Sequence, residues 1–237
     1  MYNGGVGSSG GTALQERACN RGRFRLILAS RSPRRRELVR ALDLSVTAVT
    51  PAVAEDAPRA GEGAEDYALR TALAKARSVR PEEGTVVLGA DTVVSLEGRL
   101  LGKPGSPEEA RQTLRLLNGR SHRVTTALAL VSPQGVATDV CNTLVRFRRY
   151  SDAELEAYVA TGDPMDKAGA YGIQHPVFRP AEAVDGCRLN VVGLPLCRLS
   201  ELLGRLLSLS SFPHPAADKT PYACPQCRLP GAREVAP

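Results

Sequence analysis

The stretch RLILASRSPRR, residues 25–35, decides the fold of this 237-residue chain. Its first six residues form a short apolar run rich in β formers, which predicts a strand. Ser32 and Pro33 then suit an N-cap and a first helical position, because a serine hydroxyl accepts a free amide and proline needs no amide there. Strand, tight turn and helix in this order predict the opening unit of an α/β sheet.

Further strands and helices follow along the chain. The predicted strands cover residues 25–30, 45–50, 85–89, 122–132 and 136–148, and the predicted helices begin at Ser32, Ala64, Ser106, Ser151 and Leu196. The sequence Ser-Pro-Glu-Glu at 106–109 predicts a capping box, and a glycine closes that helix at 119. Because the long hairpin at 122–148 follows alternating strands and helices, we expect a mixed sheet in an α/β architecture.

The folded domain is expected to span residues 25–207. Residues 1–24 are rich in Gly and Ser and lack the apolar core of a secretory signal, so we expect a disordered extension, with an organelle transit peptide as the alternative. Residues 208–237 predict a flexible tail that carries Cys224 and Cys227. This pair is either half of a zinc site or two free thiols, because structural zinc normally needs four ligands. The other cysteines are dispersed, which is typical of a cytoplasmic protein.

Composition excludes some functions and leaves others open. No run approaches the roughly 18 apolar residues of a membrane span. Aromatic residues make up only 4% and Trp is absent, which disfavours a protein that stacks bases of single-stranded nucleic acid. The net charge of +6 and the run Arg34 to Arg36 suit a phosphate-bearing small molecule as well as a polymer.

Several short motifs could bind and cleave a phosphate compound. Ser30 to Arg35 joins a strand end to a helix start, where free amides and two arginines favour an anion. Asp91 directly follows an apolar strand, a position that suits holding a metal or orienting water. Lys75 and Lys103 offer point charges, and the Gln174 amide can donate and accept hydrogen bonds. Each motif also has a structural interpretation, such as a capped helix, a turn or a solvated lysine.

The motifs in their order resemble the Maf family of nucleotide pyrophosphatases. The matching pieces are LASRSPRRREL, LAKA, GADTVV, GKP, NGRSHRVTT, DKAGAYGIQ and NVVGLPL, which lie between Leu26 and Leu207. The resemblance implies an inosine-triphosphatase-like fold with a mixed twisted sheet and two lobes around a deep nucleotide-binding cleft. It also implies a homodimer. From the composition, neither a membrane nor a nucleic acid is expected as a partner.

The resemblance further implies a role for individual residues. Asp91 would be the catalytic base that activates water for attack on the α-phosphorus. Arg35, Lys75 and Lys103 would bind the triphosphate, and a divalent cation, Mg²⁺ or Mn²⁺, would bridge phosphate oxygens.

Substrate preference within the family also has a sequence signature. Arg34, Thr92 and Gln174 match the subgroup that hydrolyses dTTP and UTP, so we expect those substrates, with modified pyrimidine nucleotides as a further class. The alternatives are a 7-methyl-GTP pyrophosphatase and a non-catalytic nucleotide-binding regulator of cell division. A nucleic-acid-binding module is a third alternative, which predicts strongly salt-dependent binding.

Two segments depart from the family pattern. The acidic loop reads Ala54-Glu55-Asp56, so the metal ligands are predicted as Asp91 with Asp56 or Glu55. After Gln174 the family commonly has a small, glycine-rich stretch, whereas this chain has His175 to Phe178, which is expected to reshape the base pocket or its lid.

Overall fold

A computed structural model describes residues 24–54 and 56–209. Residues 1–23 of the predicted extension, Glu55, and the tail from residue 210 with Cys224 and Cys227 lie outside the described residues. The domain boundaries at 24 and 207 therefore stay predictions. Every helix of the described part is too short or too polar to cross a membrane.

The described residues form a seven-stranded mixed sheet with helices between and after the strands. The strands are β1 (Arg25–Ala29), β2 (Val46–Val49), β3 (Thr85–Leu96), β4 (Arg99–Leu101), β5 (Ser121–Ser132), β6 (Gly135–Phe147) and β7 (Ala181–Asp185). The helices are α1 (Pro33–Val39), α2 (Ala64–Arg77), α3 (Pro107–Leu117), α4 (Asp152–Ala160), α5 (Arg188–Val192) and α6 (Leu196–Leu206). Single turns of 3₁₀ helix cover Arg40–Leu42, Asp163–Asp166 and Ala168–Ala170.

The sheet changes from parallel to antiparallel at β3. The order is β2-β1-β3-β5-β6-β7, and β4 pairs with the far end of β3. Strand β1 runs parallel to β2 and to β3, and each step between these strands passes through a helix, as parallel pairs require. From β3 onward, β5, β6 and β7 pair antiparallel. The predicted mixed α/β class is confirmed.

Some local predictions were incomplete. Strand β3 continues through Asp91 to Leu96, because it pairs with β5 over nine residues that include β-branched Thr92 and Val93. The capping box predicted at Ser106 is half wrong: the Ser106 hydroxyl accepts from the Glu109 amide, but the Glu109 carboxylate accepts from the Gly105 amide at 2.7 Å instead. Strand β7 and helix α5 were not predicted, because β7 reads Ala-Glu-Ala-Val-Asp, with one β-branched residue, and α5 begins without a side-chain cap.

The centre of the sheet is buried on both faces, and alternate side chains of a strand enter different clusters there. In β3, Val86 and Leu88 join a large cluster with the helices of one face, whereas Val87 joins a smaller cluster on the other face. The fully buried side chains that helix α2 contributes to the smaller cluster are all small, namely Ala68, Ala72 and Ala76, while Tyr67, Leu69 and Leu73 pack against the cluster partly buried. Alanines let the helix backbone lie very close to the sheet.

The closest approach of α2 to the sheet is at Gly89 in β3. A Cβ added there would lie 2.1 Å from the carbonyl oxygen of Ala72 and 2.6 Å from the amide nitrogen of Ala76. Both are backbone atoms, so no side-chain rotation relieves the overlap. A side chain at residue 89 therefore forces the helix away from β3.

Gly89→Ala should lower the free energy of unfolding by about 3 kcal/mol, as overpacking against an immobile backbone does. Urea unfolding followed by circular dichroism measures the change. Gly102→Ala is the matched control, since nothing lies within 4 Å of the Cβ it would add, and it should stay within about 0.5 kcal/mol of wild type. Equal losses in both variants would contradict the close contact of α2.

Candidate active site

A cavity of about 610 Å³ lies where the chain's predicted motifs converge. Its volume falls within the range of about 300–1,000 Å³ that is usual for small-molecule sites. The lining includes Arg34, Arg35, Lys75, Asp91, Thr92, Lys103 and Gln174, all predicted from the sequence. The turn after β1, strand β3, helix α2 and the segment 163–176 thus supply the walls. Arg34 and Gln174, which are 140 positions apart in the chain, share one cavity.

Asp91 and Lys75 form a buried ion pair in this cavity. The Lys75 ammonium donates to Asp91 Oδ1 at 2.7 Å, and the two side chains are only 6% and 14% exposed. The contact follows from the packing of α2, because Lys75 lies between Ala72 and Ala76 on the part of the helix that contacts β3. At this depth, loss of one partner removes a compensating charge from the other.

Arg35 is held rigidly at the start of α1. Its Nε donates to the Gly193 carbonyl at 2.8 Å, and its Nη2 donates to Thr92 Oγ1 at 2.9 Å. Thr92 in turn shares a hydrogen bond of 2.9 Å with Thr126. The guanidinium is buried, so its orientation is fixed before any anion arrives. A donor whose orientation is already fixed stabilises a negative charge in a cavity strongly, because it needs no reorganisation when the charge arrives.

Arg34 links α1 to a segment 132 residues away. Its Nη1 donates to Asp166 Oδ2 at 3.1 Å. Lys167 binds the other oxygen of Asp166 at 2.6 Å and also binds Asp163 Oδ1 at 2.9 Å. Burial raises the pKa of Asp166, but the hydrogen bond from Lys167 and the charge of Arg34 outweigh it, so the pKa is lowered. This ion-pair network connects two walls of the cavity.

Asp56 of the acidic loop lies outside the cavity lining. Asp56 is not among the lining residues, its side chain is 76% exposed, and one oxygen lies 3.8 Å from Arg70. Asp163 and Asp166 line the cavity instead, although the sequence did not single out their carboxylates as site residues. Asp166 stands within the DKAGAYGIQ motif, which was the one available signal, but its pairing with Arg34 depends on the fold.

Among the described residues, Asp91 is the one predicted metal ligand that lines the cavity. Asp91 Oδ1 faces Lys75, while no described residue bonds to Asp91 Oδ2. Within residues 24–54 and 56–209, no group of three or more Asp, Glu, His or Cys side chains could hold a metal ion. Magnesium is commonly held by one or two carboxylates together with substrate phosphates and water, and the donor set agrees with that arrangement.

The segment after Gln174 packs through its aromatic side chains. Phe178 stacks on Tyr158 with centroids 3.8 Å apart and on Tyr150 at 4.3 Å. His175 packs edge-on against Tyr158 at 5.0 Å and lines the cavity beside Gln174. The sequence could not reveal this stack, because the three aromatic residues come from separate parts of the chain.

A buried histidine contacts one of the residues that line the cavity. His122 Nε2 lies 2.6 Å from the hydroxyl of Tyr171, which lines the cavity. His122 is only 2% exposed, and burial lowers its pKa from 6.5 to about 4. Burial also raises the pKa of Tyr171. Both groups are therefore neutral at pH 7, and the pair acts as a fixed support.

The depressed pKa of His122 predicts a loss of stability in acid. Between pH 6.5 and 4 the unfolded chain binds a proton at His122 that the folded chain excludes. The contribution of His122 to the free energy of unfolding is therefore complete above pH 6.5 and is lost as pH falls through 4. Between pH 7 and pH 4, the free energy of unfolding should fall by about 3 kcal/mol more in wild type than in His122→Gln, which cannot titrate. Urea unfolding at each pH measures this difference. Parallel pH curves for the two proteins would contradict the burial of a neutral His122.

Comparison with known proteins gives consistent relatives. A family model described as "Maf-like protein" matches residues 25–206. A protein of Thermomicrobium roseum named "dTTP/UTP pyrophosphatase" is 45% identical over 86% of this chain and 93% of its own length. A protein of Anaeromyxobacter dehalogenans with the same name is 47% identical over 81% of this chain and 96% of its own. Among solved structures, the Ham1 protein of Staphylococcus aureus matches at 15% identity with a TM-score of 0.41, covering 78% of this chain and 98% of that one.

Proposed function

The chain belongs to the Maf-like protein family, and on that premise we propose that it hydrolyses dTTP and UTP to the nucleoside monophosphate and pyrophosphate. The observation that carries the proposal is the cavity in which a carboxylate, Asp91, is surrounded by cationic side chains. The relatives that are named for this activity are 40–47% identical and aligned over most of both chains.

The chemistry divides between Asp91 and the cations. Asp91 would accept a proton from a water molecule as the water oxygen attacks the α-phosphorus. The bond from that phosphorus to the bridging oxygen breaks, and pyrophosphate leaves with the bonding electrons. Arg35 and Lys103 would neutralise the charge that develops on the phosphate oxygens, which is the main requirement of phosphoryl chemistry. The fixed hydrogen bonds of Arg35 support this role, because its guanidinium needs no reorganisation.

Lys75 would have a second function in the same step. Its ammonium lies 2.7 Å from Asp91 Oδ1 and therefore fixes the carboxylate in one orientation. A bound Mg²⁺ or Mn²⁺ would be held by Asp91 and the substrate phosphates, and it would draw electron density from phosphorus and neutralise phosphate charge. Arg34, Thr92 and Gln174 would then contribute to the choice of nucleotide.

The proposal is tested by pyrophosphate release from dTTP, UTP, CTP, 7-methyl-GTP and the purine triphosphates with Mg²⁺. We expect turnover of dTTP and UTP, and a loss of about 10³-fold in kcat for Asp91→Asn, which keeps the shape of the side chain and removes the base. Preference for 7-methyl-GTP would overturn the assignment of dTTP and UTP as substrates. Absence of any turnover in folded protein that binds nucleotide would support a non-catalytic regulator.

Asp56→Asn separates the two acidic positions predicted as metal ligands. Because Asp56 is exposed and lies outside the cavity lining, kcat/KM for dTTP should change by no more than about twofold, as for loss of a surface ion pair. The Mg²⁺ concentration that gives half-maximal rate should also be unchanged. A rise in that concentration comparable with the effect of Asp91→Asn would identify the acidic loop as part of the metal site.

The homodimer implied by the family and the cytoplasmic location indicated by the dispersed cysteines stay proposals. Light scattering of the purified full chain measures the mass in solution, for which the homodimer predicts twice the chain mass of 25.2 kDa.

A further inference from the structure

His175 is fixed in the cavity wall by hydrogen bonds on its backbone and on its ring. Its amide donates to the Gly172 carbonyl at 3.0 Å, and its carbonyl accepts from the Arg179 amide at 3.2 Å. Its ring nitrogen Nδ1 accepts from the Phe178 amide at 2.9 Å. With the ring also packed edge-on against Tyr158, neither the backbone nor the imidazole has freedom to turn.

The hydrogen bond at Nδ1 determines which nitrogen carries the proton. A nitrogen that accepts an amide hydrogen has no proton of its own, so in the neutral imidazole the proton resides on Nε2. No described residue makes a hydrogen bond to Nε2, and His175 lines the cavity. His175 therefore offers a ligand one hydrogen-bond donor and no acceptor.

Gln174, the neighbouring lining residue, differs in this respect. Its amide carries both a donor and an acceptor, and a half-turn about the last side-chain bond exchanges them. Its side chain is exposed, so the described structure does not restrict that rotation. Gln174 can therefore complement the edge of a uracil or of a cytosine equally well, and it cannot by itself exclude either base.

We propose that His175 is a specificity-determining residue that selects an exocyclic carbonyl at C4 of the pyrimidine. This inference rests on the proposed function and extends it to the discrimination between UTP and CTP. Uracil and thymine present an oxygen at C4, which accepts from Nε2–H. Cytosine presents an amino group there, so two donors would face each other and both would lose their water partners.

The proposal predicts a change in the ratio of kcat/KM for UTP to that for CTP. In His175→Ala this ratio should fall on the order of tenfold, the value of one hydrogen bond to a partly buried group. KM for UTP should rise, because the contact is made equally in the ground state and the transition state. The kcat/KM for CTP should not fall, because the variant removes the donor that opposes the cytosine amino group. Val177→Ala is the matched control, since Val177 is 85% exposed and does not line the cavity, and its ratio should equal that of wild type.

A second variant and an NMR spectrum test the proposal even if His175→Ala does not fold. His175→Gln replaces a donor with a group that can also accept, so turnover of CTP should rise relative to UTP. Nitrogen-15 NMR of the wild-type imidazoles reports the tautomer directly, and the proposal requires a proton on Nε2 of His175 at neutral pH. A proton on Nδ1 would overturn the proposal.

The outcomes distinguish this inference from the proposed function. Wild type that turns over dTTP and UTP, together with an unchanged UTP-to-CTP ratio in folded His175→Ala, would reject the role of His175 alone. Wild type that turns over neither nucleotide would remove the proposed function and this inference with it.

Discussion

The contact of α2 with β3 is the constraint on which the rest of the site depends. Three alanines on the helix and Gly89 on the strand let two backbones lie within the distance that a Cβ would occupy. This approach brings the last turns of α2 against the middle of β3. Lys75 and Asp91 meet as a consequence, and a larger residue in the contact would separate them.

Strand β3 carries site residues whose side chains contact elements on both faces of the sheet. Asp91 contacts Lys75 on α2, whereas the next residue, Thr92, contacts Arg35 and Thr126. Alternation of side chains along β3 therefore connects the carboxylate to one helix and the hydroxyl to the start of α1. The strand in this way places an acid and a buried arginine in the lining of one cavity, while their supporting contacts come from opposite faces.

Charge balance is a second feature of the cavity. Arg34 and Lys167 already have the carboxylates of Asp166 and Asp163 as partners, and Lys75 has Asp91. Isolated buried charges would be costly, so these pairs stabilise a cation-rich cavity in the absence of ligand. A bound phosphate would exchange partners with these carboxylates, and binding would cost less desolvation than it would at unpaired cations.

The sequence by itself determined the order of strands β1, β2, β3, β5 and β6 and of helices α1, α2, α3, α4 and α6, because strand and cap signals are local. It also determined the mixed sheet and, through local motifs, seven residues that line the cavity, namely Arg34, Arg35, Lys75, Asp91, Thr92, Lys103 and Gln174. It did not determine that Asp56 lies outside the cavity, that Asp166 pairs with Arg34 across 132 residues, or that His175 is held as a donor. Those facts depend on contacts between distant segments and on the packing of Tyr150, Tyr158 and Phe178. Only the tertiary structure decides them, since neither spacing nor propensity specifies which distant side chains meet.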